Sequence, residues 1–526
     1  MNGKVNLNKS LAKRIKTNSI AKNTIMLYIR QILILFVSLY TVRVVLNVLG
    51  PEDYGIYSVV GGVVLLFVFL KGTMASATQR FFSFEIGRND GVKLKQTFSV
   101  NLVVYVSIGV IAFLLLESIG LWYVSEKLKI PSYRFDSAIL LFHYSIFTFI
   151  MSVLNTPFMA IIIAHEDMKI YAYISIVEVL MKLGVVVLLM YLPWDKLELY
   201  GLLLFVVAII NFSIYLSVCI KKYEECQFKK FYWDLGLFKN LINFTGWTLF
   251  GQLSAVFRRQ GIIILLNQTF NPIVVAAMAI ATNITTQVGL FSANFNMSLY
   301  PPIIKAFAAE KKEEMFTLIF KGSRFTFFLI WVFALPLFLT MDTILMLWLK
   351  EVPEQTVLFC RLSLVEVLIM AIGYPLTTAA RAPGKMKIYE LVLGTIQILI
   401  FFVSWILFKS GFDAYYTLLV AILANILMFI IRLIILKYLI ELQIGKYLKQ
   451  VMVPVIGVML CSLIPLLPFF KLFIEDKLIL KFLLVVLSVL FSSVSMYFIG
   501  MDKHMRNKVR NIVSDKIIII RKAFKK

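Results

Sequence analysis

The chain has 526 residues, 60% of them hydrophobic and 16% charged, with a formal net charge of +24 and a mean hydropathy of +0.87. A water-soluble fold of this composition could not cover its apolar surface, so the sequence describes an integral membrane protein. The same figures exclude disordered, collagen-like and disulfide-stapled chains.

Residues 1–22 carry six basic residues and no long apolar core, so no cleavable signal peptide is expected there. Apolar windows long enough to span a bilayer then recur along the chain. They are predicted at 23–48, 54–79, 97–121, 137–163, 170–192, 200–220, 241–267, 274–299, 322–349, 357–380, 389–408, 415–436, 451–470 and 478–500. That makes about 14 helices, and no strand-period pattern competes.

With the N-terminus inside, the inner segments hold 35 Lys and Arg and the outer loops eight. Cytoplasmic loops collect these residues, so both termini are expected in the cytoplasm. The same rule accounts for the basic balance, and no nucleic-acid partner is expected. The tail, 503–526, is basic with interspersed apolar residues. It reads equally as an amphipathic helix on the inner surface and as a solvated tail.

Pro157 to Tyr171 aligns without gaps on Pro375 to Tyr389, at an offset of 218 residues. Identities fall at Pro157/Pro375, Ala164/Ala382, Met168/Met386, Lys169/Lys387, Ile170/Ile388 and Tyr171/Tyr389. Equivalent spans are six helices apart, an even number, so the repeat is parallel in topology. The chain divides into a basic N-terminus (1–22), an N-lobe of six helices (23–220), a linker (221–240), a second six-helix lobe (241–437), two extra helices (451–500) and the tail (501–526). The fold class is therefore all-α integral membrane, two six-helix lobes plus two C-terminal helices.

A charge at membrane depth costs about 2.5–3.5 kcal/mol on insertion scales, so it should face a cavity or a partner. Arg30 and Arg43 lie in the first span, Lys71 and Arg80 in the second, Lys182 in the fifth, and Arg258 and Arg259 in the seventh. Acids at depth are fewer, chiefly Glu178 and Glu366. The interior therefore reads as cationic, which suits anions, and a guanidinium fork suits phosphate. Glu178 and Lys182 are spaced as an i,i+4 ion pair. Arg258 and Arg259 have no acid nearby in sequence and are assigned to a cavity. Asn283 and Gln287 share a helix face and could bind sugar hydroxyls. Pro157, Pro375 and Pro336 should kink their spans. His165-Glu166-Asp167 reads as a solvated turn, and the four cysteines as structural thiols.

No phosphate-binding G-x-x-x-x-G-K-[ST] loop, H-E-x-x-H, G-x-S-x-G or Cys/His cluster occurs, so no enzyme, cofactor or metal is expected. The span count, the basic N-terminus, the stretch Leu49-Gly-Pro-Glu-Asp-Tyr-Gly-Ile-Tyr57 and the arginines of the first and seventh spans resemble the O-antigen type (Wzx) polysaccharide flippases. These share a superfamily with the lipid II flippase and the MATE multidrug exporters. The resemblance implies a pair of lobes opening alternately to each side of the bacterial inner membrane. It also implies an oligosaccharide linked by pyrophosphate to undecaprenol as the partner, alongside other polysaccharide-assembly membrane proteins. Coupling to a membrane potential or ion gradient would make Glu178 and Glu366 candidate coupling sites. A MATE-type exporter of cationic drugs is the alternative, but it would favour an acidic cavity. A membrane polymerase or ligase would need a large outer loop, and none is present.

Overall fold

A computed structural model describes residues 2–510 apart from 66, 129, 271, 350–351, 467–477, 504 and 508–509, and of residues 2–22, 39, 42, 51, 65 and 68 it describes the backbone alone. Most of the basic tail lies outside the described residues. Among those described there is no strand. With no water at hydrocarbon depth, backbone N–H and C=O groups must pair within their own segment, and the helix does this.

The helices run α1 (Asn2–Leu65), α2 (Val68–Arg88), α3 (Gly91–Leu115), α4 (Leu121–Glu126), α5 (Phe135–Ala164), α6 (Met168–Tyr191), α7 (Lys196–Lys222), α8 (Leu235–Thr269), α9 (Pro272–Ala308) and α10 (Lys312–Trp348). They continue as α11 (Thr356–Arg381), α12 (Lys387–Lys409), α13 (Tyr416–Ile440), α14 (Ile444–Tyr447), α15 (Val453–Leu463) and α16 (Leu478–Ser495). Among the described residues, 13 helices are long and apolar enough to cross a membrane. The bent pair Glu52–Val64 and Phe69–Arg88, at 48°, makes a fourteenth. Several helices outrun their hydropathy windows. Both α9 and α10 have 37 residues, against about 20 needed for the hydrocarbon. Hydropathy marks the apolar depth, whereas a helix continues into water as long as its residues allow.

Punctuation follows local chemistry. Gly50 (φ 78°, ψ 168°) interrupts α1 in a conformation that only glycine adopts readily. Asp90 caps α3 by accepting from the Lys93 N–H at 3.0 Å. Asp195 caps α7 through the N–H groups of Leu197 and Glu198. The two aligned repeat segments make the same turn. Glu166 (φ 65°) and Gly384 (φ 80°) both adopt the left-handed region, and they are 218 residues apart, the repeat offset. The expected kinks differ. Helices α5 and α11 run through Pro157 and Pro375 without a break. In α10 the backbone leaves helical geometry at Thr340, whose hydroxyl donates to the Pro336 carbonyl at 2.9 Å. Hydroxyl and neighbouring groups that re-satisfy the freed carbonyl make such prolines tolerable in a membrane helix.

The chain forms two compact units. The first is Met1–Gln252 with Met297–Met315 and Gly384–Glu390; the second is Leu253–Asn296 with Phe316–Pro383 and Leu391–Lys526. In the first unit, Phe82, Phe98 and Phe158 centre one apolar cluster, while Val45, Val186, Leu189 and Tyr200 centre another. Thr78 is buried and donates to Asn101 at 2.7 Å, a polar link between α2 and α3. In the second unit, Trp331 donates to Ser462 at 3.0 Å, tying α10 to α15. Helices α2 and α9 approach closely at Gly87, where an added Cβ would lie 2.7 Å from Lys305 Cα.

Gly87→Ala should therefore lower the thermal unfolding midpoint in detergent by the equivalent of about 1–3 kcal/mol of overpacking. Gly246→Ala, where an added Cβ meets nothing within 4 Å, should not. Equal midpoints for the two variants would contradict the close approach.

Candidate functional site

Charges at membrane depth divide into those with partners and those without. In the first unit, Arg30 of α1 lies half-buried with its guanidinium 4.8 Å from the centroid of Tyr171 on α6. Its Nε and Nη1 are buried and have no hydrogen-bond partner. The aromatic face holds the cation by its quadrupole but offers no acceptor to its N–H groups. Arg43, further along α1, is exposed.

Glu178 accepts from Lys182 Nζ at 2.7 Å, the i,i+4 pair expected from sequence, and from Asn211 of α7 at 3.1 Å. Lys71 of α2 lies within electrostatic range of both members of that pair. Two lysines and one carboxylate leave this group net cationic. Arg80 is buried in an aromatic box, stacked 4.7 Å over Phe81 and 4.6 Å over Phe84, with the Phe244 ring at 6.0 Å. Its guanidinium lies against Gly384, where an added Cβ would come within 2.9 Å of Nη2. Arg80 is thus packed inside its unit.

In the second unit the structure supplies the acid that local sequence lacked. Arg258 of α8 donates to Glu366 of α11 at 2.7 Å and to Gln397 of α12 at 3.1 Å. Asn425 of α13 donates to the same Glu366 oxygen at 3.1 Å. One buried carboxylate, 7% exposed, thereby ties together α8, α11 and α13, and Arg258 carries the tie on to α12. Adjacent Arg259 points differently: it is exposed and, among the described residues, has no acid partner. Asn283 and Gln287 are exposed on α9, while Asn294 on the same helix is buried.

Sequence reasoning missed Tyr171, Asn211, Gln397 and Asn425, because each becomes a partner only across helices. It also missed a clamp at one end of the first unit. Arg134 forks between Asp53 and Asp195, and Tyr133 donates to Glu52 at 2.5 Å. The acids of the 49–57 stretch therefore hold the first unit together at one end. Burial pushes the Asp195 carboxyl up, but the Arg134 hydrogen bond and charge outweigh it and hold the group below its ordinary value. The reading of residues 165–167 as a solvated turn is corrected. His165 contacts Glu225 at 2.6 Å, Glu166 pairs with Lys305 at 2.8 Å, and Asp167 accepts from Tyr223 at 2.7 Å. Short polar loops become clamps when a second helix end lies over them. Cys219, Cys226 and Cys360 are buried, whereas Cys461 is exposed. Among the described residues no group of three or more His, Cys, Asp or Glu could hold a metal.

The model of the family described as polysaccharide biosynthesis protein matches residues 20–310, more than half of the chain. The chain belongs to this family. No curated protein matches it significantly. Solved structures share its fold at low identity. A MATE crystal structure in the straight conformation aligns with a TM-score of 0.71 and 13% identity, covering 81% of this chain and 97% of that one. An outward-facing multidrug resistance MATE transporter of the MOP superfamily gives 0.70 and 13%, with 81% and 96% covered. A MOP superfamily transporter from Pyrococcus furiosus, whose binding pocket is described as of reverse polarity, gives 0.67 and 14%, with 81% and 96% covered. The family member described here is therefore a multi-pass membrane protein with the MATE fold.

Removing one partner of the Arg258–Glu366 pair strands the other. Arg258→Ala alone should cost about 3–5 kcal/mol of stability, and Arg258→Ala with Glu366→Ala distinctly less. Thermal unfolding of the single and double variants in detergent checks this. Additive losses would refute the coupling.

Proposed function

We propose that this chain is a flippase that carries undecaprenyl-pyrophosphate-linked oligosaccharide across the bacterial inner membrane for surface polysaccharide synthesis, by alternating access. Membership of the polysaccharide biosynthesis family supports the pathway class. The observation that carries the substrate chemistry is that each unit holds membrane-depth cations with no acid partner among the described residues, Arg30 and Arg43 in the first and Arg259 in the second. An uncompensated guanidinium at depth costs several kcal/mol and calls for an anion. A pyrophosphate supplies two phosphoryl groups for charge-assisted hydrogen bonds. Lys71 and Arg80 add positive field, and Arg258 orders its helix while its own charge is balanced by Glu366.

Asn283 and Gln287 suit sugar hydroxyls as paired donors and acceptors. The lipid tail would stay in hydrocarbon, so only the headgroup needs a polar route. Glu178 and Glu366 would be the candidate acids for coupling to an ion gradient; each accepts a hydrogen bond from an amide that could follow a change of its charge. Both termini are assigned to the cytoplasm by the excess of Lys and Arg in the inner loops. No chemical step is needed: the protein rearranges contacts and the substrate leaves unchanged.

The second reading is a multidrug exporter, which the MATE fold of the structural neighbours favours. The Pyrococcus furiosus relative, with its pocket of reverse polarity, supports a different cargo on the same fold. A deletion strain complemented with the wild type, with Arg30→Ala/Arg259→Ala and with Arg30→Lys/Arg259→Lys separates the readings. Surface polymer should vanish in the deletion and return with the wild type. It should fall at least tenfold with the alanine pair and recover partly with the lysine pair, at equal membrane levels of each protein. Unchanged polymer in the deletion, together with new sensitivity to cationic drugs, would overturn the flippase reading in favour of the exporter.

A further inference from the structure

A second concentration of charge lies within the second unit, on helices beyond the family-matched region. A cavity of about 640 Å³ opens between the Thr317–Arg324 stretch of α10, the segment from Lys446 to Pro454, and the residues that follow α16, from Ile499 to Arg506. Lys446, Lys449, Asp502 and Arg506 lie in or just beside the terminal turns of apolar spans, the setting of a membrane boundary. Its charged lining is Lys321, Arg324, Lys446, Lys449 and Arg506 against a single acid, Asp502.

Asp502 does not balance that set. It contacts Arg324 at 3.3 Å and Lys321 at 3.2 Å, both at the loose end of hydrogen bonding. Lys446, Lys449 and Arg506 have no acid partner among the described residues. Arg324 is 6% exposed, yet its Nε is buried without an acceptor, and so is the Nε of Arg506. Both guanidinium groups line the cavity with donor capacity that no acceptor among the described residues uses up, an electrostatic setting that favours an anion.

Two π-helical turns flank the cavity, Leu448–Met452 and Met496–Gly500. Such turns widen a helix locally and recur at binding sites. Here they carry Lys449, Gln450 and Ile499 into the lining. Immediately beside the cationic lining, Val453 and Phe498 are exposed apolar residues on the same segments, as hydrocarbon contact requires. A polar cavity next to an apolar surface at a membrane boundary matches a molecule with an anionic head and an acyl tail. Asp502 remains charged at neutral pH. Burial raises its pKa, but Arg324 and Lys321 outweigh that and hold it below the ordinary value, so the free cationic excess persists.

We propose that this cavity is a binding site for the phosphate headgroup of an anionic phospholipid, of the phosphatidylglycerol or cardiolipin type, which bridges α10, α15 and α16. The shared chemistry is a phosphate oxyanion held by Arg324, Arg506 and the lysines of α14 and the π turn that follows it. The acyl chains lie along the Val453 and Phe498 faces.

The test uses the full chain purified in a neutral detergent, with native mass spectrometry and thermal unfolding as readouts. The probes are phosphatidylglycerol, cardiolipin, phosphatidylcholine, inorganic phosphate and pyrophosphate. Wild type should retain phosphatidylglycerol or cardiolipin and gain several degrees in midpoint from them, with no gain from phosphatidylcholine. Lys446→Glu/Lys449→Glu, at two exposed positions, should weaken retention roughly tenfold or more while leaving the lipid-free midpoint unchanged. Lys446→Gln/Lys449→Gln gives the same comparison without charge reversal should the first pair fail to insert. Undiminished retention in both pairs would overturn the proposal. An equal midpoint gain from inorganic phosphate or pyrophosphate would overturn the lipid assignment and make a soluble anion the ligand.

Discussion

Everything in this protein depends on the penalty for leaving a polar group unmatched where water is absent. Applied to the backbone, the penalty makes every span a helix and leaves no strand among the described residues. Applied to hydroxyls, it sends Thr248, Thr285, Thr326 and Ser404 back to carbonyls one turn earlier on their own helices. Applied to charges, it sorts the ionisable residues into two groups with different meanings. Glu366 is satisfied from neighbouring helices by Arg258 and Asn425, and Glu178 by Lys182 on its own helix and Asn211 on the next, and both act as fasteners. Arg30, with two buried nitrogens unmatched, and Arg259, exposed and without an acid partner among the described residues, are not satisfied in this way.

The fasteners also show how one ion pair organises several elements. A carboxylate oxygen has two lone pairs, so Glu366 Oε1 can accept from Arg258 and Asn425 together. In the first unit, the Arg134 fork does the converse, giving one cation to two acids at the ends of α5, α7 and the second half of α1. Such pairs contribute little net stability relative to an apolar replacement, yet breaking one side is costly. They specify which helix neighbours which, more than they strengthen the bundle.

Much of the fold was legible because hydropathy reads burial in hydrocarbon directly. Leu478–Gly500 was read to the residue and six of the other thirteen spans to within four residues at both ends, while the rest are helices that continue beyond their apolar windows. The internal repeat was legible from matched Pro, Lys and Tyr. The left-handed turns at Glu166 and Gly384 give it a backbone counterpart that no residue identity displays, since one is glutamate and the other glycine. The candidate site was legible only as a list of costly residues. Arg80 and Arg30 look alike in sequence, both being guanidinium groups in the first two spans. One is packed among three phenylalanines against Gly384, the other stacked on a tyrosine with two nitrogens unmatched.

The sequence by itself determined the membrane class, the helical spans, the basic excess and the i,i+4 pair of Glu178 with Lys182, because each depends on composition or on residues within one turn. Tertiary structure alone decided which charges are matched. Arg258 meets Glu366 across 108 residues, and Arg134 meets Asp53 across 81. Adjacent Arg258 and Arg259 differ only because successive residues project about 100° apart on a helix, so one reaches the carboxylate of α11 and the other does not.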